Sequence, residues 1–380
     1  MTKPILPSEL RDWSADHQRL HRLLLRRPDL LPRGTGLLLA VSGGQDSMAM
    51  LGLLRDLQPL HGWRLQLWHG DHGWRQEAAH QAAQLAAWAR EQGLPLDLEH
   101  AAVVENAASG GGNREAEGRR WRYGALARAA RRRGCRHVLT AHTATDRAET
   151  VLLNLARGSH RRGLASLRTL RPLDGDLLLV RPLLGFSRTD TARLCRQLGL
   201  PLWHDPGNDD LHLSRNRIRA EVLPVLEALH PGASQRISLQ AERLAAELDQ
   251  EPELLQLALR SLEAPIGTVA AGLATTALDR RALLRLSPVG QRRLLRHWLE
   301  SQIGQPIGAE ALEAWQARLP LERGPGRADL GERWQLHWDR FTLWLVPPPR
   351  RPCLSPPTPA NPASAMARSS RPTATTTGGT

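Results

Sequence analysis

The sequence predicts an α/β protein: an open, mainly parallel sheet with helices on both faces, then a smaller, mostly helical C-terminal domain and a disordered tail. Three observations carry this. Leu37 to Leu51 passes from a short apolar run through the polar turn Ser42-Gly43-Gly44-Gln45-Asp46-Ser47 into apolar residues at helical spacing, the pattern of a buried strand, a tight turn and a helix. Short apolar runs then alternate with helix-period segments until about Pro231, as repeated strand–helix units require. From Pro347 onward Pro, Ser, Thr, Ala and Gly dominate without apolar periodicity, so the tail cannot bury enough surface to order itself.

These breaks divide the 380 residues into 1–34, an N-terminal helix and linker; 35–225, the α/β catalytic domain; 226–346, an accessory domain; and 347–380, the tail. Pro7 to Leu25 reads as an amphipathic helix, followed by a linker punctuated by Pro28, Pro32 and Gly34. Strands are expected at Leu37–Val41, Arg64–Trp68, Pro95–His100, His137–Ala141 and Leu177–Val180. Helices are expected at Asp46–Leu57, ended by Pro59, at Arg75–Gln92, at Arg114–Arg133 after a cap at Asn113, and from Ser187 to about Leu198. Arg157–Leu164 reads as a mobile basic loop, and a helix is expected to follow Ser214–Arg219 up to His230. In the accessory domain, Ser234–Arg260, Ala277–Gly304 and Gly308–Leu319 read as helices, and Trp334–Val346 alternates like a hairpin.

Composition narrows the function. Apolar residues make up 41%, ordinary for a soluble globular chain. No apolar run reaches the length of a membrane span, and no signal-peptide pattern opens the chain, so a cytoplasmic protein is expected. Cys135, Cys195 and Cys353 are scattered, which indicates neither a disulfide framework nor a zinc site. Net charge is +13, nearly all of the positive charge is arginine, and the tail (Arg350, Arg351, Arg368 and Arg371) supplies only +4 of it. A basic core suits a polyanionic partner, because arginine matches phosphate bidentately and stacks on bases.

Within the turn Ser42–Ser47, Gly43 and Gly44 let the backbone approach an anion, the serines add hydroxyl donors, and the helix behind presents unpaired N–H groups. Asp46 among phosphate donors suits a divalent cation or a role in chemistry. No lysine follows, so the Walker pattern does not apply. His69-Gly70-Asp71-His72-Gly73 follows the second strand, and Asp146 and Glu149 share a helix face after the fourth. That pair suits a cation or an amine, or only the helix dipole. Arg114 to Arg133 carries eight arginines around Tyr123, the chain's only tyrosine, with no acidic partner after Glu117.

The turn Ser-Gly-Gly-x-Asp-Ser resembles that of the N-type ATP pyrophosphatases, the PP-loop superfamily, a Rossmann-like fold. More pieces, in order, resemble the tRNA(Ile)-lysidine synthetases: His72-Gly73; Glu115-Ala116, Arg119, Arg122 and Tyr123; His142, Asp146, Glu149 and Thr150; Arg157-Gly158-Ser159; Arg181-Pro182-Leu183-Leu184; and Asn208-Asp209-Asp210 with Arg215-Asn216 and Arg219. The sequence departs from that pattern at Thr143 and Thr145, where the family has a second histidine and a second aspartate.

The resemblance implies ATP, L-lysine and the CAU-anticodon tRNA(Ile) as substrates, Mg²⁺ as a cofactor, and no membrane; a homodimer stays open. It implies ATP binding by Ser42, Gly43, Gly44, Gln45, Asp46, Ser47 and His72, Mg²⁺ at Asp46, lysine at Asp146 and Glu149, catalysis by Asp46, Asp146 and Glu149, and tRNA contacts from Arg119, Arg122, Arg215 and Arg219. Three rivals use the same turn. A tRNA thiolase needs activated sulfur, and Cys135 and Cys195 form no pair. An amidating ligase needs an ammonia source and no basic helix, and a non-catalytic tRNA binder has no use for the three carboxylates.

Overall fold

The computed structural model describes residues 13–71, 76–101, 111–203, 210–264 and 276–348. They divide into two compact units at Glu251/Pro252.

The first unit opens with α1 (Ala15–Arg26), capped by Ser14. Then come β1 (Gly36–Ala40), α2 (Gln45–His61), β2 (Arg64–Asp71), α3 (Gln76–Glu91), β3 (Leu96–His100), α4 (Gly111–Arg132) and β4 (His137–Leu139). They are followed by α5 (Ala144–Ala156), the short α6 (Arg161–Leu164), β5 (Leu170–Asp174), β6 (Leu177–Val180) and α7 (Arg188–Gln197). α8 (Ser214–Arg217), a π-helical turn at Ile218–Val222 and α9 (Leu223–Leu229) follow, and α10 (Ala233–Leu262) begins in this unit and runs past its end at Glu251.

The sheet order is β3-β2-β1-β4-β6-β5. All neighbours are parallel except β5, which runs antiparallel to β6. β1 is apolar throughout because both its faces are covered. Leu37 and Leu39 join Leu20, Met48, Leu51 and Leu54 on one side, whereas Leu38 joins Trp68, Leu126, Ala129 and Leu179 on the other. The open, mainly parallel sheet with a helix layer on each face is the expected class.

Several boundaries differ from the sequence reading. α2 runs through Pro59 and stops at Gly62, which takes φ +68° and donates its N–H to Gln58 O. A proline in the last turn forfeits one hydrogen bond without breaking the helix. α4 begins at Gly111, so Asn113 lies within it. The segment read as a mobile loop contains α6. β5 has no counterpart in the sequence reading: it holds Pro172, acceptable on an edge strand, and the Gly175-Asp176 turn joins it to β6 with Gly175 at φ +58°.

The second unit contains β7 (Ala277–Asp279), α11 (Arg280–Leu284), α12 (Pro288–Ile303), α13 (Ala309–Gln316), β8 (Gly326–Asp329), β9 (Gln335–Trp338) and β10 (Thr342–Val346). Its antiparallel sheet has the order β7-β10-β9-β8, and the hairpin read at Trp334–Val346 is β9–β10. Ala277–Gly304 is not one helix. Its first residues pair with β10, and Ser287-Pro288 caps a fresh helix, Ser287 Oγ accepting from Gly290 N at 3.2 Å. The core includes Leu278, Leu283, Leu295, Trp298, Leu336 and Leu343. Arg280 is fully buried and donates to the carbonyls of Leu319 and Pro320, both at 2.8 Å, and to that of Asp339.

Candidate active site

β1 lies between β2 and β4: the chain runs outward through β2 and β3 on one side, then crosses back to β4 on the other, which reverses the strand order at β1. Ligands of open α/β sheets bind beyond the strand C-termini at such a switch point. The turn after β1 and the N-terminus of α5 after β4 both lie at that end.

The turn is built to hold its backbone open. Gly43 takes φ +83°, and a Cβ there would come within 2.9 Å of the Trp203 ring. Trp203 also donates its backbone N–H to Gly43 O at 3.0 Å. Ser42 N–H donates to Ser47 Oγ (3.2 Å), Gly44 N–H to Ser42 Oγ (3.3 Å), and the Ser47 hydroxyl to Gly44 O (2.8 Å). These bonds shape a cradle at the N-terminus of α2, whose first N–H groups have no intrahelical acceptor. The Gln45 side chain is committed elsewhere: its amide donates to Arg188 O at 2.7 Å and Thr191 Oγ1 at 2.8 Å, tying the cradle to α7.

Thr191 in turn donates its hydroxyl to Asp46 Oδ1 at 2.6 Å, while Asp46 Oδ2 lies 3.8 Å from Arg188 Nε. Burial pushes the Asp46 pKa up, against the pull of Thr191 and Arg188. Among the described residues no group of three or more His, Cys, Asp and Glu could hold a metal ion. A hard cation that keeps several waters and takes phosphate oxygens needs only one or two carboxylates, and the second oxygen of Asp46 fits that demand.

The carboxylates on α5 are also brought together, with partners that the sequence did not pair. Thr143 caps α5, and Asp146 Oδ2 accepts from Thr143 N at 2.7 Å and Thr143 Oγ1 at 2.9 Å. Glu149 is fully buried. Its oxygens accept from Arg215 Nε at 2.6 Å and from Arg219 Nε and Nη2 at 2.6 and 3.0 Å. Arg215 Nη2 also reaches Asp146 Oδ1 at 3.0 Å. Two carboxylates and two guanidiniums thus form a charge-balanced cluster. Burial opposes ionisation of Asp146, but His142, Arg215 and the Thr143 hydrogen bonds outweigh it and hold its pKa below the usual carboxylate range. Burial pushes His142 down to about 3, so it is neutral at ordinary pH, with Nδ1 3.0 Å from Thr140 Oγ1. Asp46 feels the charges of Asp146 and Arg219, which links the cradle and the cluster.

Of the residues singled out by sequence, Ser42–Ser47 form the cradle, and Asp146, Glu149, Arg215 and Arg219 form the cluster. Arg119 and Arg122 lie exposed on α4. His72 lies outside the described residues. Sequence reasoning missed Arg188, Thr191 and Trp203. Their only local signal is the Ser187 cap, which points toward no ligand.

The sheet, its switch point and the cradle define a PP-loop nucleotide-binding protein. The PP-loop domain family matches residues 15–226, and the TilS substrate binding domain family matches residues 278–344. A tRNA(Ile)-lysidine synthase of Parasynechococcus marenigrum (strain WH8102) is 49% identical over 340 residues, 88% of this chain and 96% of the relative. One from Prochlorococcus marinus is 38% identical over 88% of this chain and 97% of its own length. The U34-tRNA thiolase NcsA of Methanococcus maripaludis, solved with its [4Fe-4S] cluster, shares the fold at TM-score 0.51 and 21% identity, covering 61% of this chain and 78% of its own. The chain belongs to the tRNA(Ile)-lysidine synthase family, whose members are ATP-dependent PP-loop enzymes.

Proposed function

We propose that this enzyme joins L-lysine to C2 of the wobble cytidine of the CAU-anticodon tRNA(Ile), forming lysidine. The observation that carries this reading is one switch point holding both a phosphate cradle and a carboxylate pair, Glu149 fully buried and Asp146 partly so, that suits an ammonium. The cytidine C2 oxygen attacks the α-phosphate of ATP and pyrophosphate leaves. The lysine side-chain amine then attacks C2, and AMP leaves with that oxygen. Ser42 to Ser47 orient the phosphates. Mg²⁺, held through Asp46, would neutralise phosphate charge.

A lysine ammonium has pKa ~10.4 and must lose a proton before attack. Asp146, with its lowered pKa, suits holding the ammonium better than accepting its proton. Lysine must displace Arg215 or Arg219 from Glu149. In this reading tRNA phosphates draw those arginines away, so Arg215 and Arg219 serve the tRNA while Asp146 and Glu149 serve lysine. Arg119 and Arg122 contact tRNA from α4. The domains follow: 35–225 catalytic, 226–346 accessory and tRNA-binding, 347–380 a dispensable tail. No helix among the described residues is long and apolar enough to cross a membrane, and a cytoplasmic location is part of the proposal. A homodimer is a separate proposal, open to light scattering.

The thiolase alternative gains nothing from Cys135 and Cys195. Both are buried, and burial raises their thiol pKa values, that of Cys195 to about 11. Labelled lysine, offered with ATP and a CAU-anticodon transcript, tests the function. ATP-dependent incorporation is expected, and its absence in active, ATP-hydrolysing protein would refute the reading.

A further inference from the structure

Outside the cradle and the cluster, one group of charges has no counter-ion among the described residues. Arg119 on α4 and Arg171 on β5 each place their guanidinium 5.1 Å from the centre of the Tyr123 ring. Arg181, at the end of β6, lies beneath and is 1% exposed. It donates Nη1–H to Arg168 O at 2.7 Å and Nη2–H to the Tyr123 hydroxyl at 3.5 Å. Its Nε is buried without a hydrogen-bond partner. No carboxylate of the described residues lies in salt-bridge range of any of the three arginines; the ion pairs on the same helix and hairpin use Arg128, Arg131, Arg132 and Arg133 instead.

Like charges gathered at one ring repel, and a buried guanidinium with an unmet donor costs stability. Such an arrangement persists where an anion completes it. Tyr123 holds both rim guanidiniums near its ring by cation–π contact. Arg171 gives Nη1–H to Pro172 O at 2.9 Å and also hydrogen-bonds the Tyr123 side chain; a guanidinium has five donors, so N–H groups remain to take oxygens. Arg119 is exposed and Arg171 half-buried, so an anion has access from solvent, with Arg181 supplying positive potential from below. The charges of Arg119 and Arg181 also reach His142, beside the carboxylate cluster.

We propose that Arg119 and Arg171, stacked on Tyr123 and backed by Arg181, form a clamp for a backbone phosphodiester of the tRNA substrate. The proposal rests on the tRNA reading above and extends it to edge strand β5, which no sequence motif marked. A phosphodiester is favoured over a small carboxylate because two separate elements contribute, on a chain already basic. Arg181 and Tyr123 are positioning residues, and Arg119 and Arg171 make the contact.

The test is binding of an unmodified CAU-anticodon tRNA transcript, without ATP or lysine, over a series of potassium chloride concentrations. Arg171→Ala sits at a half-exposed edge and leaves the core intact. It should weaken binding on the order of tenfold at low salt and reduce the log–log salt slope by about one. Tyr123→Ala, which frees both guanidiniums, should reduce the slope further, whereas Tyr123→Phe, which keeps the stack, should stay near wild type. An unchanged slope in Arg171→Ala overturns the clamp. So does unchanged tRNA affinity joined to a raised KM for lysine in a separate ligation assay, which would assign these arginines to the amino-acid carboxylate. The binding assay omits lysine transfer, so failure of ligation in the wild-type enzyme and failure of the clamp register separately.

Discussion

Replacing Glu149 by glutamine removes one negative charge from the balanced cluster while keeping the side chain's shape. In the wild type, Glu149 is fully buried and meets Arg215 and Arg219 at 2.6 Å each. The substitution leaves Asp146 alone against two guanidiniums and turns an amide donor toward arginine donors. Removing one partner of a buried ion pair costs about 3–5 kcal/mol. The side chains of Arg215 and Arg219 are 28% and 22% exposed, so solvent screens part of the residual repulsion, which selects the lower end, about 3 kcal/mol. For a unit of this size that lowers Tm by about 6–12 °C. Differential scanning calorimetry reads the shift. Adding Arg215→Gln should restore about 1–2 kcal/mol relative to the sum of the single variants, since the residues are in direct contact. In kinetics, Glu149→Gln should raise the KM for lysine about ten- to a hundredfold with ATP affinity little changed. A Tm drop under about 2 °C with additive singles would refute the electrostatic lock. Loss of adenylation itself, not rescued by excess lysine, would instead assign the pair to metal.

Asp46→Asn should leave the fold intact or slightly stabilised, because the carboxylate's raised pKa means ionisation costs the folded state stability as pH rises past its unfolded value; pyrophosphate release should be lost, and release within about threefold of wild type contradicts its role. His142 has its pKa lowered from 6.5 to about 3, so the unfolded chain binds the extra proton and stability should rise with pH across that window. His142→Gln should flatten this part of the Tm–pH curve, and an unchanged slope would show that the histidine charges in the folded state. Arg280→Met strands carbonyls of Leu319, Pro320 and Asp339 and should destabilise the second unit by about 2–3 kcal/mol while sparing ATP binding; unaltered melting would contradict its structural role.

What the sequence disclosed follows from distance along the chain. β1 and its turn were legible because a strand buried on both faces is apolar throughout, and the turn's residues are contiguous. Asp146 and Glu149 were legible as a pair because they share one helical turn. Their partner Arg215 lies 66 positions from Glu149, and no local pattern shows that the guanidiniums already occupy the carboxylates. Thr191 is 145 positions from Asp46, and their contact depends on where α7 packs. β7 was read as helix because Ala277-Leu278-Asp279 carries no period of its own; its partner, Thr342–Trp344, lies far downstream. The helix end read at Pro59 differs from the structure because a proline's effect depends on whether its missing donor had a partner to lose.

The most direct measurement identifies the nucleoside made at the first anticodon position. The CAU-anticodon tRNA(Ile), after reaction with ATP and lysine, is digested and its nucleosides separated and weighed by mass spectrometry. A cytidine carrying lysine at C2, present only when ATP, lysine and enzyme are combined, is the expected result. Sulfur in place of the C2 oxygen, or lysine attached at another nucleotide, would contradict the proposed reaction.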